Sequence, residues 1–163
     1  VQLVKQNIQA CNNSAIVIEA RSPVFAEQGQ TISGKRVLVV EDGPTLTHGG
    51  MTFGAGSLAA KQYGAKEIVD PRPWLAGTLI DTFEKYPKIG NLLPAMGYGK
   101  EQIKDLEQTI NASDCDLVVI GTPIDLTRVI DIQKPSVRVT YELEEVGTPN
   151  LEMVLKPFMS NPA

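Results

Sequence analysis

The chain has 163 residues, 42% hydrophobic and 21% charged, with a formal net charge of -4. That is one domain's worth of chain with enough apolar content for a core, which excludes a disordered segment. The acidic balance offers no footprint for nucleic acid or an anionic membrane, and no apolar run approaches the roughly 20 residues of a membrane helix.

In chain order, "VQLVKQNIQACNN" sets Val1, Val4, Ile8 and Cys11 on one helical stripe with no N-cap ahead of it. A helix that opens uncapped at Val1 reads as the continuation of a longer protein. Residues 15–20, "AIVIEA", read as the first strand, and "RSPVFAEQGQTISGK" as a loop. "RVLVVED" (36–42) is the continuous apolar run of a strand covered on both faces. The stretch to Gly56 reads as a glycine-rich loop, and "SLAAKQYG" as a helix stopped by Gly64. "KEIVD" is a short strand, "PRPW" breaks it, and "AGTLIDTFEKYP" is a helix closed by Pro87. "GNLLPAMGYG" holds a short strand or extended segment, and "KEQIKDLEQTINAS" an amphipathic helix. "CDLVVIGTP" is the second buried strand, "TRVIDIQKP" an irregular piece or short helix with a turn. "SVRVTYELEE" alternates as a strand with one wetter face near an edge, and "NLEMVLKPFM" is a closing helix. Strands alternating with helices predict an α/β, three-layer Rossmann-like domain with a mostly parallel sheet over residues 1–163. Cys11 and Cys115 lack metal-ligand spacing and read as small buried thiols in a reducing, cytoplasmic setting; no signal peptide is visible.

"GQTISGKR" (29–36) matches most of a G-x-x-x-x-G-K phosphate loop. Arg36 stands where the Mg²⁺-reaching hydroxyl belongs, and the stretch precedes a strand instead of leaving one. It therefore reads as a polar turn with Lys35 and Arg36 in solvent.

In parallel sheets ligands gather beyond the carboxyl ends of the strands. Three such ends carry chemistry: "EDGPTLTHGG", "DPRPW" and "GTPIDL". Gly49, Gly50, Gly54 and Gly56 let backbone approach a ligand, and Ser57 opens a helix whose free N–H groups favour an anion. Thr45 and Thr47 add hydroxyls. The expectation is that unpaired amides between His48 and Ser57 converge on one anion pocket, with Arg72 opposite. The bland alternative is a tight crossover with Ser57 as an N-cap. His48, the sole histidine, suits general acid–base work or phosphate binding, or is an ordinary surface residue. Glu41 and Asp42 could orient His48, and Asp42 could hold Mg²⁺; otherwise the pair merely caps a strand. Arg72, stiffened by flanking prolines, suits a bidentate grip on an anion unless Asp70 takes it internally. Thr122 and Asp125 sit on the third strand end, as further rim residues or as a simple turn.

The blocks "GKRVLVVEDGPTLTHGGMTFGAG", "EIVDPRPW", "LPAMGYGKEQIKDLEQTIN" and "DCDLVVIGTPIDL" resemble the predicted P-loop GTPases similar to cyclic 2,3-diphosphoglycerate synthetase, over about residues 14–146. The resemblance implies the C-terminal portion of a much longer chain. Its Rossmann-like and P-loop domains would lie ahead of Val1 and bind most of the ATP or GTP with Mg²⁺. It implies a ligase or GTPase whose substrate is a phosphorylated small molecule, with the missing N-terminal domains as partners, a homodimer left open, and this portion inactive alone. The rival is a non-catalytic structural or regulatory α/β module. A nicotinamide enzyme fits worst, because "GGMTFGAG" lacks the G-x-G-x-x-G spacing.

Overall fold

The computed structural model describes residues 1–97 and 99–159; Tyr98, inside one of the blocks quoted above, lies outside the described residues. The elements in order are α1 (Gln2–Cys11), β1 (Ala20–Arg21), β2 (Val24–Ala26), β3 (Arg36–Asp42), α2 (Gly43–Thr47), α3 (Ala55–Gln62), β4 (Glu67–Ile68), α4 (Thr78–Lys85), β5 (Leu93–Ala95), α5 (Lys100–Ala112), β6 (Leu117–Ile120), β7 (Ser136–Tyr141), β8 (Glu144–Glu145) and α6 (Leu151–Met159). They divide into two compact units, Val24–Tyr141 and a smaller one built from Val1–Pro23 and the chain from Glu142 onward.

The larger unit is an α/β fold of three-layer Rossmann-like kind with a mostly parallel sheet. Strand β3 lies at its centre. On one side it runs parallel to β6, with Val37 to Val40 opposite Leu117 to Ile120. On the other side two short parallel strands lie end to end, β4 beside Arg36 and Val37, β5 beside Val40 to Asp42. Beyond β6 come β7, parallel, and β2, an antiparallel edge. Val37, Leu38, Val39 and Val40 are fully buried, as an unbroken apolar strand requires when both its faces are covered. Along β7 the faces differ: Val137 and Val139 are buried while Ser136, Arg138 and Thr140 are exposed. That is the expected wetter face.

Three elements depart from the sequence reading. The apolar run at 15–20 pairs only at its end, Ala20 opposite Glu145 and Arg21 opposite Glu144, within the smaller unit. Ile16 there is 62% exposed, so β-rich composition without a partner strand makes no ladder. Conversely, Val24–Ala26, read as loop, gains a strand by pairing with β7. And the start of the glycine-rich stretch is helical. Pro44 sits in the first turn of α2, and Asp42 caps it, its carboxylate accepting from the Thr45 amide at 3.2 Å and the Thr45 hydroxyl at 3.0 Å.

The phosphate-loop look-alike is a 3-10 turn over Gly29–Ile32 entering β3. Arg36 is not free in solvent: it pairs with Glu67 at 3.1 Å and Asp114 at 3.0 Å. Cys11 is exposed, contrary to the buried-thiol expectation, because α1 buries none of its residues; Cys115 is half-buried.

The close approach of α3 to the sheet depends on glycine. A Cβ on Gly121 would overlap the Gly56 backbone and come within 2.5 Å of a Glu41 oxygen, while one on Gly56 would reach Val39 at 2.9 Å. Gly121→Ala is expected to destabilise by about 1–3 kcal/mol, read as a lowered urea midpoint with an unchanged slope.

Candidate functional site

At the carboxyl end of β3, Glu41 points under the start of α3. Its two oxygens accept from the Ser57 amide at 2.7 Å and the Gly56 amide at 3.2 Å. Glu41 is 1% exposed. Burial raises its pKa above the ordinary glutamate value, and the Ser57 and Gly56 amides partly oppose that rise. Gly54, Gly56 and Gly121 leave the space its carboxylate fills. The Gly54 amide donates to the Ser57 hydroxyl at 2.9 Å. The amides expected to face a ligand at this helix start are thus engaged by an acid from the chain itself. The physical reason is that an N-terminal helix turn offers unpaired donors, and a buried carboxylate is a strong acceptor for them.

The other half of the loop differs. The His48 and Gly49 amides bond to the Pro44 carbonyl, at 2.9 and 3.2 Å, closing α2. Gly50 then turns with φ +60°, a conformation that glycine takes freely. Among the described residues the amides of Gly50, Thr52 and Phe53 have no hydrogen-bond partner. The Thr47 hydroxyl donates to the Gly43 carbonyl and lies 2.9 Å from His48 Nδ1. The imidazole stands 6.4 Å from the Tyr86 ring, centroid to centroid. Beside it opens a cleft of about 260 Å³ lined by Leu46, Thr47, Gly50, Lys85, Tyr86 and Lys88, among others. Lysines, a phenol and the unpartnered Gly50 amide over an apolar floor can hold an anion with an apolar body. Lys85, Tyr86 and Lys88 were missed in the sequence. "KYPK" after a helix is a basic-aromatic cluster that could have flagged them, but only folding brings it to the end of α2.

The remaining rim residues do not gather there. Arg72 pairs with Asp70 at 2.9 Å, and its guanidinium carbon sits 5.1 Å from the Phe83 ring centre. That is the internal pairing weighed above. Thr122 is 1% exposed and its hydroxyl has no partner. Asp125 caps a short 3-10 turn; its pKa is lowered mainly by the Thr127 hydroxyl at 2.7 Å, then by the Thr127 amide and nearby arginines. Among the described residues no three His, Cys, Asp or Glu side chains gather to hold a metal ion, so Asp42 stands as a single candidate ligand. One of its oxygens is committed to Thr45. No described helix is long and apolar enough to cross a membrane.

Fold and rim together describe an α/β domain with anion-compatible chemistry at the carboxyl ends of its parallel strands. No family model matches the chain. No solved structure matches it either. It is similar to the arginine synthetase ArcE of Thermococcus kodakarensis, 57% identical over 161 residues. The alignment covers 99% of this chain but 36% of that protein, so the chain spans about a third of the relative's length. The relative is named for arginine, so the likeness does not single out cyclic 2,3-diphosphoglycerate synthetase.

A raised folded pKa means that Glu41 contributes most to stability below its unfolded value, about 4.3, and that this contribution is lost as pH rises through the folded value. Urea unfolding between about pH 4 and pH 7 is expected to show that loss in the native chain and not in Glu41→Gln. The variant should also be less stable by about 1–3 kcal/mol, because glutamine offers one acceptor to two amides. Parallel pH slopes for the two proteins would remove Glu41 from this account.

Proposed function

We propose that this chain is the substrate-binding domain of an NTP-dependent synthetase acting on a small amino-acid substrate, with the nucleotide held mainly by polypeptide outside the matched segment. The observation that carries the reading is the 57% identity, over nearly the whole chain, to a protein named for making arginine. An NTP-dependent synthetase drives bond formation by first passing a phosphoryl or nucleotidyl group to its substrate, so a phosphorylated small molecule is what the domain would grip. The relative's name points to an amino acid and not to a diphosphoglycerate, and the proposal follows the relative.

Within the site, the cleft beside α2 takes the anionic part. Lys85 and Lys88 offset its charge, and the unpartnered Gly50 amide can donate to it. His48, held by Thr47, takes or gives a proton. ATP or GTP with Mg²⁺ would supply the activated phosphoryl group, and Asp42 retains one uncommitted oxygen as a single protein ligand to that ion. The internal bonding of Gly54, Gly56 and Ser57 favours a structural role for that half of the loop. The substrate-binding role rests on the half from Thr47 to Phe53.

The test is a chimera of the Thermococcus kodakarensis protein in which this chain replaces the matched segment. Given the parent protein's own substrates, a nucleoside triphosphate and Mg²⁺, it should form arginine, and deletion of the segment should abolish turnover. His48→Gln should lower kcat by about 10²-fold. Arginine formation that survives deletion of the segment, or a folded chimera with no turnover, counts against the reading.

A further inference from the structure

A second cleft, of about 350 Å³, opens on the wet face of the sheet edge and is lined by Glu27, Gln28, Asp125, Thr127, Ser136 and Arg138, among others. The antiparallel pairing of Ala26 with Val139 brings Glu27 and Gln28 alongside the start of β7. On β7, Arg138 projects from the exposed face. Its guanidinium is held from two sides: Nη2 donates to the Pro123 carbonyl at 3.0 Å, and Nη1 lies 3.8 Å from the Asp125 carboxylate. Asp125 is in turn committed to Thr127 and to Arg128 at 3.3 Å. Arg138 is thus pre-oriented while its Nε–H has no partner among the described residues. Its side chain remains 43% exposed, open to a ligand.

Glu27 is the opposite pole. It is exposed and has no hydrogen-bond or ion-pair partner among the described residues. It precedes Gln28, which adopts φ +56° and ψ +34°, a left-handed conformation uncommon for a non-glycine residue that fixes the direction of the turn. One pinned cation and one uncommitted anion therefore border the same cleft, which Ser136 also lines. A simple anion would need only the first, and a simple cation only the second.

We propose that this cleft binds a free α-amino acid as its zwitterion, Arg138 taking the α-carboxylate and Glu27 the α-ammonium group. A guanidinium fork matches a carboxylate, and charge-assisted hydrogen bonds are the stronger kind. The choice of an amino acid as the ligand rests on the synthetase reading; the two-pole geometry does not.

Calorimetric titration of the chain with L-arginine, agmatine (no carboxylate), N-acetyl-L-arginine (no ammonium) and inorganic phosphate tests it. L-Arginine should bind more tightly than any of the other three. Arg138→Gln should weaken L-arginine about tenfold and leave agmatine unchanged. Glu27→Gln should weaken L-arginine and leave N-acetyl-L-arginine unchanged. Both side chains are at the surface, so an unaltered urea midpoint identifies folded variants. L-Arginine affinity that ignores both substitutions, or that matches inorganic phosphate, overturns the proposal. In the chimera, Arg138→Gln should raise KM for the amino-acid substrate with kcat kept. An unchanged KM there defeats the inference while leaving the synthetase reading intact. An inactive chimera whose chain still discriminates the four probes defeats the reading and leaves the zwitterion site standing.

Discussion

The structure depends on one buried carboxylate. Glu41 leaves the end of the central strand and bonds the first amides of α3, at 2.7 and 3.2 Å, with almost no exposure to water. Three constraints follow. The helix must begin where those amides reach the strand end, so its N-terminal turn is tied to β3. Gly54, Gly56 and Gly121 must lack side chains, since a Cβ would collide with the carboxylate at Gly54, with Val39 at Gly56, and with the carboxylate and the Gly56 backbone at Gly121. And the charge must be sheltered by donors, because burial alone would drive it towards the neutral form. The joint therefore couples packing to ionisation at the carboxyl edge of the sheet.

That joint also divides the glycine-rich segment. Its second half is structural, consumed by Glu41 and the Ser57 hydroxyl. Its first half is shaped by α2, which Asp42 caps at its start and which closes at His48 on the Pro44 carbonyl, next to the Tyr86 ring. The same six-stranded sheet thus presents two clefts with different chemistry: lysines and an aromatic over an apolar floor beside α2, and opposed charges on the wet side of β7.

The loop chemistry was half legible in the sequence. Glycines, threonines and acids after a buried strand correctly announced close backbone approach and helix-start donors, but they could not say which anion would fill the place. A ligand phosphate and an internal glutamate make the same demand on local sequence, and only the position of Glu41 one residue before the strand's end decides between them. Arg72 shows the same ambiguity: two prolines stiffen it whether its guanidinium meets a substrate or, as here, Asp70 and Phe83. Lys85, Tyr86, Lys88, Glu27 and Arg138 were overlooked because each is unremarkable among its neighbours in sequence.

By itself the sequence determined the long elements. The apolar runs of β3 and β6, the stripe of α5 and the alternation of β7 are local patterns set by side-chain periodicity, and burial on both faces or one follows from them. Tertiary structure decided what depends on a distant partner. Residues 15–20 are β-rich yet pair only at their last position, while Val24–Ala26, which read as loop, becomes a strand because β7 lies beside it. A strand is completed by hydrogen bonds to another strand, and a binding site by side chains from several. Neither is encoded in any one segment, so both had to await the folded chain.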